Sequence, residues 1–206
     1  MKRSAPFRIR VGKIWLVGVF FLILGSGCGK KGPTGPSFEE LIDEGWQAFG
    51  SKDYAQAAEK FTQAKAQNPT RVEAYVGMGW SLFKLDRLDE ANTAFNDGSK
   101  QPEPTADLYA GWAFTLNALK LYSLSNVKAD LALAADSAWT FTRGLPLNFK
   151  HLHILKAANY YLLGKFDRAL EAVQKVNPQF QADIRTSEGL VALAQEIERL
   201  QSTGGT

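Results

Sequence analysis

Few side chains in this chain are suited to acid–base or metal chemistry. His151 and His153 are its only histidines. Two positions apart on a helix they project to nearly opposite sides, which is unsuitable for two ligands on one metal. Glu39, Glu40, Asp43 and Glu44 place four carboxylates close together, a grouping that could serve acid–base work or hold a cation. They fall in the first two turns of a predicted helix, where negative charge meets the positive end of the helix dipole, and that role accounts for them. No Ser or Cys has a plausible base beside it, and no glycine loop opens a helix after a strand. No catalytic residue, metal site or cofactor is assigned, and an enzyme is not expected.

The remaining chemistry is aromatic, and its spacing is regular. Gly45-Trp46 recurs as Gly79-Trp80. Phe49 recurs as Phe83, Tyr54 as Leu88, Ala57 as Ala91, Phe61 as Phe95 and Ala64 as Gly98 at the same interval. A period of this size marks stacked supersecondary units, each too small to bury its apolar face without a neighbour. From Phe38 to Phe49 the apolar residues fall at helical spacing. Gly50 and Ser51 interrupt the pattern, Asp53 is placed to cap a second helix, and Pro69 ends that helix, because proline disfavours helix in the residue before it. Each unit is therefore a helical hairpin. Glycine inside a helix costs roughly 1 kcal/mol relative to alanine, so Gly45 and Gly79 predict a close approach of helices. Gly111-Trp112 restarts the pattern slightly early, while Ala134 is the best counterpart of Ala57. That late second helix predicts a long, protruding hairpin between Gly111 and Gly144. The apolar stripe Leu190, Leu193, Ala194, Ile197 and Leu200 predicts a final helix over 187–200 that caps the stack, and a frayed tail from 201 to 206.

These units resemble tetratricopeptide repeats. Gly45, Phe49, Tyr54, Ala57, Phe61, Ala64 and Pro69 match the family pattern in the first copy, and Gly79, Phe83, Leu88, Ala91, Phe95 and Gly98 match it in the second. A later copy matches in Ala157, Tyr160, Tyr161, Gly164, Phe166, Ala169 and Leu170, with Val173 in place of the second-helix aromatic. The resemblance implies an all-α, right-handed solenoid of about four hairpins over 38–200, with His153 packed between paired helices. It also implies a concave surface lined by Ile42, Trp46 and Phe49, by Val76, Trp80 and Phe83, by Leu108, Trp112 and Thr115, and by Ile154, Ala158 and Tyr161. Two states of that surface are open: an apolar groove left for a partner, or rings buried by neighbouring helices or by the carboxy-terminal helix. Relatives that grip a terminal carboxylate use Asn where this chain has Trp, so that mode is disfavoured.

The amino terminus has a different character. Positions 1–27 carry Lys2, Arg3, Arg8, Arg10 and Lys13 without an acid, then an apolar run from Ile14 to Leu24, then Gly25, Ser26 and Gly27. This is the layout of a secretory signal. Cys28, the only cysteine, follows at once, and the arrangement resembles a bacterial lipoprotein signal, although Gly25 stands where that pattern usually has Leu. By resemblance Cys28 receives the lipid and becomes the mature terminus. An exported protein offers a lone Cys no disulfide partner, which agrees with this assignment. The stretch 29–37, GKKGPTGPS, forms a flexible tether that reaches at most about 30 Å. Loss of positions 1–27 removes five basic side chains and no acid, so the formal charge moves from +3 to −2. The mature domain has no basic excess to neutralise phosphates, and nucleic acid is not expected as a partner.

The expectation is thus a lipid-anchored cell-envelope adaptor that binds another protein through the concave surface or the third hairpin. Gly29 is not the Asp that by resemblance retains lipoproteins in an inner membrane, so an outer-membrane location follows if the host has one. The alternative is a glycan-binding module whose tryptophan row stacks on sugar faces.

Overall fold

The computed structural model describes residues 35–204. The proposed export signal, Cys28 and the first part of the tether lie outside them. The described residues form nine helices: α1 (Phe38–Gly50), α2 (Tyr54–Gln67), α3 (Val72–Lys84), α4 (Leu88–Gly98), α5 (Ala106–Ala118), α6 (Tyr122–Ala135), α7 (Phe149–Leu162), α8 (Phe166–Gln174) and α9 (Ser187–Thr203). Consecutive pairs make four hairpins, and α9 closes the stack against α7 and α8. Among the described residues no helix is long and apolar enough to cross a membrane.

Local chemistry sets the helix ends. Ser37 and Glu40 form a reciprocal capping box on α1, the Asp53 side chain accepts from Gln56 N on α2, and Thr105 and Thr186 cap α5 and α9 in the same way. Such caps satisfy N–H groups that the first turn leaves unpaired. Glu39 and Glu40 occupy the first turn of α1, Glu39 also meets Arg71, and Glu44 pairs with Lys60 at 2.6 Å. At its far end α9 continues past the expected Leu200 to Thr203, and Gly204 terminates it in the left-handed conformation.

The turn inside each hairpin carries one left-handed residue: Lys52, Asp86, Lys120 and Gly164, with φ of 64°, 58°, 61° and 69°. These markers establish the register. The second helices start at Tyr54, Leu88 and Tyr122, evenly spaced, and then at Phe166 after a longer interval. The third counterpart of Gly45-Trp46 and Gly79-Trp80 is therefore Ala113-Phe114, and the counterpart of Ala57 is Ser125, not Ala134. Gly111-Trp112 corresponds to Gly77-Met78. The expected long third hairpin is corrected: α5 and α6 have 13 and 14 residues, and the additional chain lies in the connection 136–148 between α6 and α7.

The glycines explain why the dipeptide misleads. Phe61 is fully buried. A Cβ on Gly45 would lie 2.7 Å from its ring, and one on Gly77 would lie closer still. Phe95 has the same relation to Gly79, at 2.6 Å, and to Gly111. Each phenylalanine is a wedge between the first helix of its own hairpin and that of the next, so Gly111 belongs to the second glycine position of the pattern. In the third hairpin the wedge shrinks to Ala129, the first glycine becomes Ala113, and Leu155 stands where Gly77 and Gly111 stand. Volume removed from one helix is returned by its neighbours, as close packing requires. A second cluster joins Ile154, Ala157 and Val173 to Leu193, Ile197 and Leu200 of α9, which is the expected cap.

Candidate functional site

The connection 136–148 occupies the first half of the concave surface. The Asp136 side chain accepts from Ala138 N at 3.0 Å and starts a turn. Phe141 N then donates to Leu147 O at 2.9 Å, Phe149 N donates to Trp139 O at 2.7 Å, and Thr140 and Asn148 form an antiparallel bridge. In such a ribbon residues two apart share a side. Trp139 and Phe141 are 2% and 3% exposed, and the Phe141 ring lies 4.5 Å from Trp80, 6.2 Å from Trp46 and 6.3 Å from Phe49. Gly144, at φ 87°, turns the ribbon beside α1, where a Cβ would lie 3.6 Å from Gly50 Cα. The Arg143 guanidinium stands 5.1 Å from the Trp46 ring centre. Asp107 Oδ1 accepts from Trp139 Nε1 at 2.7 Å, and Asp107 O accepts from Trp80 Nε1 at 3.0 Å. Burial raises the Asp107 pKa, opposed by the Trp139 hydrogen bond and the Arg143 charge.

The open tryptophan groove is therefore corrected. Trp80 is fully enclosed, Phe49 and Val76 are buried, and Ile42, Trp46 and Phe83 pack half-buried against the same core. The filler is the connection between the third and fourth hairpins, whereas α9 serves as a cap. Leu108, Trp112 and Thr115 leave the concave row because of the register. Leu108 is buried and lies where a Cβ on Gly98 would be, Thr115 donates to Gly111 O, and Trp112 Nε1 donates to Asn92 Oδ1 at 2.7 Å beneath the Lys128 ammonium. Phe114 takes the third place in the row. Ile154, Ala158 and Tyr161 meet α9, where the Tyr161 hydroxyl donates to Leu190 O at 3.3 Å. Shallow spaces lie there, of about 250 Å³ beside Ala158, Tyr161 and Ile197 and about 130 Å³ beside Phe114, His151 and Leu200. Sugar stacking needs exposed ring faces, which the buried Trp80 and Trp112 lack.

His151 Nδ1 accepts from Asn148 N at 3.2 Å within the cap of α7. His153 is half-buried, and burial, with Lys156 and Lys175 nearby, lowers its pKa to about 4. Among the described residues no group of three or more His, Cys, Asp and Glu side chains could hold a metal ion.

A different surface carries exposed apolar side chains. Leu121, at the N-cap of α6, and Leu124, Val127 and Leu131 along the helix are 44%, 52%, 52% and 39% exposed. The same register positions hold Asp53, Gln56, Glu59 and Gln63 on α2, Arg87, Glu90, Thr93 and Asp97 on α4, and Lys165, Arg168, Glu171 and Lys175 on α8. Sequence reasoning missed this stripe because it placed the second helix of the third hairpin too late; aligning Tyr122 with Tyr54 and Leu88 exposes it. Beneath the stripe is a buried polar network. Asn117 Nδ2 donates to Asn159 Oδ1 at 2.6 Å, Asn159 Nδ2 donates to Ser125 Oγ and Asn126 Oδ1 at 2.9 Å each, and Ser125 Oγ donates to Ala113 O at 2.8 Å. Asn126 Nδ2 is buried and has no acceptor. Asn126 lines a cleft of about 500 Å³ between α6 and α8, with Val127, Tyr160, Lys165 and Arg168 among its other walls.

Residues 48–110 match the tetratricopeptide repeat family. No curated protein is similar to the chain in sequence. Among solved structures, the chain is similar to a thermophilic tetratricopeptide repeat protein of Thermus thermophilus, at 17% identity over 79% of this chain and 82% of that one, with a TM-score of 0.56. A crystal structure of MamA matches at 15% identity over 81% and 93% of the two chains, with a TM-score of 0.60. A tetratricopeptide repeat protein of Parabacteroides merdae matches at 15% identity over 81% and 62%, with a TM-score of 0.58. At these identities the structural likeness concerns the fold. Residues 48–110 thus carry the tetratricopeptide repeat pattern, and the described residues as a whole form an all-α solenoid of helical hairpins.

Proposed function

We propose that this protein is a membrane-tethered adaptor of the cell envelope that engages another protein through the exterior of its third hairpin. The observation that carries this is the apolar stripe on α6, at positions that hold charged or polar residues on α2, α4 and α8. An apolar row left in water on one repeat alone marks an interaction site, since burial against a partner removes it from solvent. The first half of the concave groove is less suited to docking, because Trp139 and Phe141 pack within it. In this reading the repeats are a rigid rod, the lipid on Cys28 holds the rod within about 30 Å of a membrane, and α6 presents the docking face. Position 29 is Gly and not the Asp that by resemblance retains lipoproteins in an inner membrane, so the protein is placed in the outer membrane if the host has one.

Two experiments test the two halves of the reading. Fatty-acid labelling in cells should mark the wild type and leave Cys28→Ser unmarked; equal label in both removes the tether. A photocrosslinking residue at Val127 should give a defined protein adduct in intact cells, while the same residue at Glu59, its counterpart on α2, should give none. Identical adduct patterns from both positions, or none from Val127, would eliminate the third hairpin as the docking face.

A further inference from the structure

We infer that the α6–α8 face takes an amphipathic helix of a partner protein whose apolar ridge is flanked by carboxylates. The inference rests on the third-hairpin reading above and specifies its ligand. Leu121 to Leu131 spans about 15 Å along α6, enough for two to three turns of a partner helix laid beside it. The stripe borders the cleft where Asn126 is 4% exposed and its Nδ2 has no acceptor. A buried donor without a partner is costly, and the residue that carries it forms part of the cleft wall. On the α8 side Lys165 and Arg168 line the cleft, and neither is in an ion pair among the described residues. Two carboxylates share the cleft with them: Asp130, which is engaged by Lys156, and Asp167 in the first turn of α8. Asp167, like Lys165 and Arg168, is in no ion pair among the described residues, so two free cations face one free carboxylate, and the Arg168 guanidinium can hold a ligand carboxylate through two parallel hydrogen bonds. Apolar contact along α6 supplies adhesion, and the cations of α8 choose the sign of the partner's flank, as in helix-in-groove recognition.

The test uses purified full-length protein and two fluorescein-labelled helical peptides. Both carry a leucine ridge at i, i+3, i+7 and i+10; one is flanked by glutamates and its twin by lysines. Fluorescence anisotropy should give saturable binding of the glutamate peptide and at least tenfold weaker binding of the lysine peptide. Leu124→Gln should weaken the glutamate peptide at least tenfold, and Arg168→Glu should reverse the preference between the two. The same charge change on α4, Arg87→Glu, should leave both affinities unchanged. Equal binding of both peptides with the dependence on Leu124 retained would overturn the acidic partner and leave the third-hairpin reading standing. Absence of binding by either peptide would overturn the inference outright. So would a dimer in sedimentation that Leu124→Gln dissociates, or flotation with phosphatidylglycerol vesicles that the same change abolishes, because the stripe would then be covered by a second copy or by lipid.

Discussion

The first two hairpins and the third solve one packing problem in opposite ways. Phe61 and Phe95 are large wedges set against glycines on two adjacent helices, and the outer faces of α2 and α4 are charged. In the third hairpin the wedge is Ala129, its place is surrounded by Ala113 and Leu155, an asparagine and serine network replaces part of the apolar contact, and the outer face of α6 is apolar. A hairpin that only had to hold the stack together would keep the phenylalanine and the charged exterior. The third one departs in both respects, and the chain also adds the ribbon 136–148 directly after it. The regular repeats are thus framework, and the specific surface sits where the repeat pattern degrades.

The largest effects should come from the wedges. Phe95→Ala should cost about 3–5 kcal/mol in denaturant unfolding, from lost transfer energy plus a cavity. Ala129→Phe should also destabilise, by about 1–3 kcal/mol, because Leu155 already stands where the first hairpins have glycine. If Ala129→Phe stabilised the protein instead, the third hairpin would be an underpacked copy of the others, and the contrast would fail.

The ribbon offers the next test. Trp139→Ala should cost about 3 kcal/mol and leave Trp46 and Trp80 open to water, so that emission shifts to the red and iodide quenches it. Intact protein should emit in the blue with little quenching. Strong quenching of the intact protein would mean that the ribbon does not occupy the groove in solution.

A smaller effect is expected from pH. The folded-state pKa of His153 is lowered from 6.5 to about 4, chiefly by burial. Its contribution to stability is therefore fully present above pH 6.5 and is lost as the pH falls from 6.5 through about 4. Because the ring is only partly shielded from solvent, the loss should be about 1–2 kcal/mol, below the full equivalent of the shift. His153→Leu should flatten the pH dependence of unfolding in this window. An unchanged slope would place the titrating group elsewhere.

The smallest effect on stability should come from the surface assigned to binding. Leu124→Glu restores the character of Gln56, Glu90 and Arg168 and should change unfolding by less than about 0.5 kcal/mol. A loss above about 2 kcal/mol would show that the α6 stripe packs within the protein, and the distinction between framework and docking surface would disappear.

Most of the architecture was legible in the residue pattern. The regular repeat interval, the capping residues Ser37 and Asp53, the glycine and phenylalanine partners and the stripe over 187–200 each follow from local geometry, which repeats wherever the same side chains meet. The register of the third unit was not legible, because a Gly-Trp pair can arise at either of two glycine positions and only the turn markers Lys52, Asp86, Lys120 and Gly164 separate them. The candidate site was hidden for the same reason: the exposed row on α6 becomes visible only after Tyr122 is aligned with Tyr54 and Leu88.

Local pattern was enough to make the chain a stack of helical hairpins, because burial of an apolar stripe at helical spacing within a unit of fixed length leaves few alternatives. It was also enough to say which phenylalanines and glycines meet, since a wedge and the space for it must be encoded together. Where the tryptophans point, and what covers them, emerges only on assembly of the helices. Trp46 and Trp80 have the same spacing whether their groove is open or filled, and Trp139 and Phe141 belong to a connection beyond the third hairpin, remote along the chain from both. Contacts over such separations depend on how the whole stack curves, and that curvature is a property of the assembled helices, not of any segment.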